Sequence, residues 1–248
     1  MGQKLKDYYD AEYIDDLAGQ FSEVMSNFDV EAYHDEIPKD YNELTFLNRQ
    51  DVIANAIKAG LKGKYSENLA IFRLIWGEEL QQETGMFKEG WWLWPLGRYV
   101  EKHALEDIGA TISFVQDFTK RHTGEYIVRP ILINHTKYMM ETFLKWSQDE
   151  NVHIRRLSSE GFRISLPWAV KTTAALNEPE LYKKILTNLK EDRSKFVQKS
   201  VGNNLNDLYK VNPQFADEII EEWKKNPLSK NTTWIIKHAR RNQNKSNT

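Results

Sequence analysis

Apolar residues recur along this chain at helical rather than strand spacing. Leu181, Ile185, Leu186 and Leu189 stand at i, i+4, i+5 and i+8, and Phe215, Ile219, Ile220 and Trp223 repeat the pattern. That spacing puts one apolar stripe on each helix, to be buried against a neighbour. Strand-like alternation is scarce. Helix starts are marked by Ser66 before Glu67, by Glu178-Pro179 and by Asn212-Pro213. In the last two a capping side chain precedes a proline whose missing N–H is no loss in the first turn. Nearer the amino terminus, residues 9–26, 40–61 and 66–77 read as amphipathic helices without a clean period. The pattern predicts an all-α chain.

The later helices repeat. Asp149 to Arg156 aligns with Asp192 to Lys199 at an offset of 43, matching acid, apolar and basic positions, and Arg193 to Lys199 aligns with Asn231 to Lys237 at an offset of 38. Periods near forty in a helical chain imply HEAT-like helix pairs, each burying its apolar face against the next and together curving around a concave groove. Arg156, Lys199 and Lys237 fall at one repeat position. Stacking is expected to bring them into a basic row.

Composition leaves room for a core and little else. The 248 residues are 40% hydrophobic and 28% charged, with a net charge of −2, which excludes a disordered or fibrous chain. One domain or continuous array, 1–248, fits the length, with a frayed polar tail at 242–248. No cysteine is present, so thiol nucleophiles, disulfides and Cys-rich zinc modules are excluded, in keeping with a reducing cytoplasm. No apolar run is long enough to cross a bilayer, and nothing requires more than a monomer. The balanced total hides a split: residues 1–150 carry 16 Lys+Arg against 26 Asp+Glu, whereas 151–248 carry 18 against 10. A basic half on a neutral protein suggests a surface for a polyanion; the alternative is a solvated helical face. Phosphate-binding, dinucleotide and nucleophile-elbow motifs are absent, as is zinc-ligand spacing.

Four strings carry a resemblance. They are Trp94-Pro95-Leu96-Gly97-Arg98-Tyr99-Val100-Glu101, Thr123-Gly124-Glu125-Tyr126-Ile127-Val128-Arg129-Pro130, the run Val152 to Arg163 continuing into Leu166-Pro167-Trp168, and Phe196 to Asp207. In this order they resemble the AlkC/AlkD-type DNA alkylation repair family of HEAT-like DNA glycosylases, most of all the AlkC branch, over nearly the whole chain. The resemblance implies removal of cationic N3-alkylated bases such as 3-methyladenine and 3-methylcytosine from duplex DNA, without metal or cofactor.

Such a base already leaves well, so the enzyme must mainly stabilise an oxocarbenium-like sugar and place a water, work suited to a carboxylate. By the resemblance that carboxylate is Glu125; the alternative is a helix cap reached from Thr123. Glu89 and Glu101 are further candidates. Where the AlkD branch flanks its acid with aromatic residues, this chain has Arg121 and His122. The missing aromatic faces are sought in Trp91, Trp92 and Trp94, with at least one of the three expected in the core. Trp168 reads as a core or groove-wall residue. Asn203 stands where the AlkD branch has a pocket Trp, so it is expected to hydrogen-bond rather than stack. Asn204 is read as a buried interhelical contact.

Phosphate contacts are expected from Arg129, Arg155, Arg156, Arg163, Lys199 and Lys230, since an arginine presents a planar fork to phosphate oxygens. Only one of Arg155 and Arg156 can face the groove, because adjacent helical residues point about 100° apart. Asp149 or Asp192 could instead pair with an arginine of the neighbouring repeat, and Glu160 is expected to orient Arg156 across one turn. A non-catalytic binder of damaged or branched DNA and a protein-binding scaffold remain as alternatives.

Overall fold

A computed structural model of the chain describes residues 4–83 and 89–243. Among these residues every regular element is helical, and the chain divides into two compact units, one up to Thr123 and one from Gly124 onward. None of the helices is long and apolar enough to cross a membrane. Of the tail expected at 242–248, the part beyond Gln243 lies outside the described residues.

The first unit contains α1 (Ala11–Val24), α2 (Val30–Asp35), α3 (Phe46–Gly60), α4 (Tyr65–Ile75), α5 (Trp94–His103) and α6 (Ile108–Phe118). The expected helices at 9–26, 40–61 and 66–77 therefore appear as α1, as a 3-10 turn at Tyr41–Glu43 followed by α3, and as α4. Ser66 is not the cap of α4. The helix begins at Tyr65, and the Glu67 carboxylate accepts the Lys64 N–H at 2.9 Å. Phe72 is fully buried at the centre of this unit, its ring meeting Phe21, Tyr99 and Phe114 with centroids 5.1–6.2 Å apart. Buried Arg49 donates to the carbonyls of Lys6, Tyr9 and Asn42, tying the amino-terminal segment to α3.

The second unit contains α7 (Val128–Asn134), α8 (Thr136–Trp146), α9 (Val152–Glu160), α10 (Ala174–Asn177), α11 (Pro179–Leu189), α12 (Lys195–Tyr209), α13 (Pro213–Lys224) and α14 (Lys230–Ala239). The 43-residue repeat is reproduced atom by atom at two helix starts. Asp149 Oδ1 accepts the Asn151 N–H and Asn151 caps His153, just as Asp192 Oδ1 accepts the Ser194 N–H and Ser194 caps Phe196. The third copy departs: α14 is capped by Ser229, about a turn earlier than the 38-residue offset implies. Asn212 caps α13 ahead of Pro213 as expected, whereas Glu178 ahead of Pro179 makes no side-chain cap bond.

Rungs of side-chain hydrogen bonds join successive helices. Asn188 donates to Ser147 Oγ, Asn204 to the Ser159 carbonyl, Trp223 Nε1 to Thr187 Oγ1 and Thr232 Oγ1 to the Lys190 carbonyl. Asn204 is fully buried, the interhelical role expected of it. Between these rungs Phe143, Phe162 and Tyr182 pack ring to ring, and Leu186, Val201, Leu205 and Ile219 are fully buried.

Gly202 sets the approach of α14 to α12, since a Cβ there would lie 2.8 Å from the His238 ring and 3.2 Å from His238 Cβ. Gly202→Ala gains about 1 kcal/mol of helix propensity but overpacks the contact at a cost of about 1–3 kcal/mol. We expect a urea midpoint lowered by a net loss of about 1 kcal/mol with an unchanged slope.

Candidate active site

A seam of alternating charges runs through the second unit, starting from the turn before α7. Glu125, 1% exposed, receives two bonds from one guanidinium: Arg156 Nη1 donates to its Oε2 at 3.2 Å and Nη2 to its Oε1 at 3.3 Å. The Arg156 plane lies over the Phe196 ring of α12, 4.7 Å from its centroid. One turn along α9, Glu160 Oε1 stands 3.5 Å from Arg156 and accepts from Arg163 Nη1 at 2.8 Å. Ser200 of α12 donates to the other Glu160 oxygen at 2.6 Å. Arg163 then reaches Asp207 through Nε and Nη2 at 3.1 and 3.0 Å. Below the seam lies Arg129, 2% exposed, whose Nη2 donates to the Arg163 carbonyl at 2.6 Å while Nε and Nη1 have no partner among the described residues.

Three carboxylates thus face three guanidinium groups, and burial divides the two glutamates. Loss of hydration pushes the Glu125 carboxyl above its usual range, with Arg156 opposing and Glu160 adding to the rise. Glu160 is also buried, but Arg156, Arg163 and the Ser200 hydroxyl outweigh that and hold it below the usual range. Burial pulls Arg129 down to about 10, despite the opposing pull of Glu125 and Glu160. Two carboxylates pushed apart in this way suit different tasks. Glu160 is the anchor that holds its charge to lower pH, and Glu125 is the one nearer to exchanging a proton.

The loop after α9 adds an exposed aromatic. The Tyr126 hydroxyl, one residue from Glu125, donates to the Pro167 carbonyl at 3.3 Å, which holds the following Trp168 beside the same segment. Trp168 is 53% exposed with φ +62. That left-handed backbone is an outlier for a bulky residue, of the kind that collects at functional sites. Of the two places expected for it, the core is excluded by this exposure.

The arginines expected to contact phosphate are engaged within the unit. Arg155 pairs with Asp192 of the next repeat at 2.7 Å and donates to the carbonyls of Asp149 and Glu150. Arg129, Arg156 and Arg163 belong to the charged seam. Lys199 and Lys230 are exposed. The Asn203 Oδ1 accepts from Arg241 Nη2 at 3.0 Å.

The remaining candidates belong to the first unit. Of the three tryptophans, Trp94 is core, Trp91 is half-buried against Tyr8 and Tyr9, and Trp92 is 38% exposed. The Trp91 and Trp92 carbonyls accept from the Tyr9 and Tyr13 hydroxyls, both at 2.6 Å. Gly90 leads this turn with φ +70, where a Cβ would sit 2.1 Å from the Arg121 carbonyl oxygen. Arg121 lies over the Trp76 ring at 4.5 Å and donates to the Gly77 carbonyl at 2.8 Å, so it braces a loop. Glu101 pairs with Arg98 at 2.7 Å, and Arg98 in turn bonds Asp51 of α3. Glu89 is half-buried just ahead of Gly90.

Sequence reasoning did not place Asp207 or Ser200 with the Glu125 group. Their signal was present: Asp207 lies 44 residues from Arg163 and Ser200 40 residues from Glu160, the spacing that stacks one helix on the next.

Comparison with known proteins assigns the chain to a family. A family model described as DNA alkylation repair enzyme matches residues 96–242. The chain belongs to that family. It is 33% identical over 238 residues to the uncharacterized protein YhaZ of Bacillus subtilis, covering 96% of this chain and 64% of that one. It is also similar to the solved structure of Pseudomonas fluorescens alkylpurine DNA glycosylase AlkC bound to DNA containing an abasic site analog, at 28% identity and a TM-score of 0.85, over 99% of this chain and 66% of that one. The chain thus spans slightly less than two thirds of each.

Proposed function

We propose that the protein is a monofunctional DNA glycosylase that hydrolyses the N-glycosidic bond of cationic N3-alkylated bases in duplex DNA, with Glu125 as its carboxylate. The observation that carries this reading is the buried Glu125–Arg156–Glu160 group, inside the family-matched region and next to an exposed Trp168. The alkylated base is positively charged, so heterolysis of the bond sends both electrons to the base, which leaves neutral. The sugar is left as an oxocarbenium-like cation. Ionised Glu125 faces that charge in a low-dielectric setting, where its field is worth far more than in water. Water then adds to the anomeric carbon and gives its proton to Glu125, whose raised pKa makes it the better acceptor of the two glutamates.

Arg156 and Glu160 position the carboxylate. The bidentate fork fixes the plane of Glu125, and a carboxylate has about four lone-pair sites, more than the two that Arg156 takes. Trp168 offers a face to the cationic base, worth about 0.5–2 kcal/mol. Trp168→Ala is expected to lower kcat/KM for excision by about 2- to 30-fold, the equivalent of that contact, with an unchanged melting midpoint. The partner in this reading is alkylated duplex DNA, bound by a single copy of the chain in the cytoplasm.

The deciding experiment is chromatography of free base released from methylated duplex DNA with no added metal. Release of 3-methyladenine or 3-methylcytosine is the expected result. The near-complete burial of Glu125 favours a second reading, a non-catalytic DNA-binding protein in which the pair is structural. Duplex binding without release of any methylated base would select it.

A further inference from the structure

Where α12 and α14 meet, cations gather without the carboxylates that accompany their neighbours. Arg155, Arg163 and Arg240 are paired with Asp192, Asp207 and Asp217 respectively. Among the described residues Arg241 makes no ion pair: its Nη1 donates to the His238 carbonyl at 2.7 Å and its Nη2 to Asn203 Oδ1 at 3.0 Å. Lys199 is exposed on the same helix as Asn203. His238 is half-buried, stacked on Trp234 with centroids 4.9 Å apart and planes at 9°. The Lys195 ammonium covers the same Trp234 ring at 4.1 Å.

The hydrogen bonds fix the chemistry of His238. A guanidinium can only donate, so the Asn203 atom that Arg241 meets is the amide oxygen. His238 Nε2 lies 3.0 Å from that oxygen and must itself donate to it. The neutral ring therefore keeps its lone pair on Nδ1. Burial first, then Arg241, Lys199 and Arg163, push the His238 pKa down to about 4, so the ring is uncharged near neutrality. Asp207 is the acid that acts on this group, and it acts on Arg241 while committed to Arg163. Burial and the surrounding cations together keep the imidazole neutral, and the acid that acts on Arg241, Asp207, is committed to Arg163, so this cluster of donors is left to take an anion.

We propose that Lys199, His238 and Arg241 form a seat for one phosphodiester of a DNA strand, with Asn203 as the acceptor that orients both Arg241 and the imidazole. This rests on the DNA-binding reading above and adds to it a binding site outside the Glu125 seam. A phosphodiester among these cations reverses the balance at His238. The ring then takes a proton from the buffer onto Nδ1, so binding absorbs up to one proton at pH values between the pKa of the free ring and that of the occupied state. Binding consequently tightens as pH falls through the pKa of the occupied state.

The test is the affinity of the full chain for undamaged duplex DNA as a function of salt, by fluorescence anisotropy, for wild type, Arg241→Gln and Lys199→Gln. Each variant is expected to weaken binding at any sequence and to reduce the slope of log K against log salt by about one. Lys199→Gln alters an exposed residue, so its result stands even if Arg241→Gln disturbs the end of α14. Affinities and slopes equal to wild type in both variants would overturn the seat, as would absence of duplex binding by wild type. A second arm follows the His238 ring by NMR through a pH titration with and without inorganic pyrophosphate. An upward move of its pKa is expected, and an unmoved value overturns the proposal. Base release by the wild-type protein decides the glycosylase reading separately: no release with reduced salt slopes leaves the seat standing without the enzyme.

Discussion

Glu125→Gln is expected to bind duplex DNA with wild-type affinity and to lose about 10²–10³-fold in base release under single-turnover conditions. The substitution keeps the shape of the side chain and one oxygen for Arg156, while Glu160 still accompanies the guanidinium at 3.5 Å. It removes the negative charge facing the sugar cation and the site that takes the proton from water. Retained binding with full release would end the assignment of Glu125. The wild-type rate should also fall on the acid side with a midpoint above the ordinary glutamate value of about 4.3, because loss of hydration raises this carboxyl more than Arg156 lowers it. A profile flat down to pH 4 would point to another group.

Arg156→Met is the variant with the largest expected cost in stability. It leaves Glu125 and Glu160, 1% and 5% exposed, without the cation they share. Removing one partner of a buried pair costs about 3–5 kcal/mol, since the remaining charge is neither hydrated nor compensated. In a domain of this kind that is a large part of the whole. The same change takes away the influence that opposes burial at Glu125, so the acid limb of any residual activity moves to higher pH. Calorimetry and a pH–rate profile on one preparation check both. A variant as stable as wild type, with an unmoved acid limb, would show that the pair neither supports the fold nor tunes the carboxylate.

The two glutamates have opposite signs in the pH dependence of stability. Glu160 is held below its ordinary range, so it stabilises the fold above about pH 4.3 and that contribution is lost as pH falls through its lowered value. Glu125 is raised, so its ionised form costs stability as pH climbs above the ordinary glutamate range.

Much of the second unit was legible from the chain. The offset of 43 between Asp149–Arg156 and Asp192–Lys199 is realised as two caps of the same pattern, made by Asn151 in one and Ser194 in the other, and the basic residue after each cap carries over as Arg156 and Lys199. A core member among the three tryptophans, realised by Trp94, and the interhelical contact of Asn204 were also expected, and the pairing of an arginine with Asp149 or Asp192, left open by the chain, is realised as Arg155 with Asp192. Residue type did not reach the carboxylates that Arg156 and Arg163 meet within the unit, nor the carbonyl that Arg129 meets. An arginine faces a phosphate or a buried carboxylate with the same fork, and residue type does not distinguish the two.

Helix positions, the apolar stripes and the repeat length depend on residues three to eight apart, so local chemistry settles them before any long-range contact exists. Which charge meets which depends on how one helix stacks on the next, across separations of 31 residues for Glu125 and Arg156 and 44 for Arg163 and Asp207. The burial that drives the two glutamates in opposite directions, and the close α12–α14 approach at Gly202 that gathers His238, Asn203 and Arg241, arise only when those surfaces close and exclude water. A carboxylate's hydration and partners decide what it can do, and both are properties of the packed unit rather than of the chain.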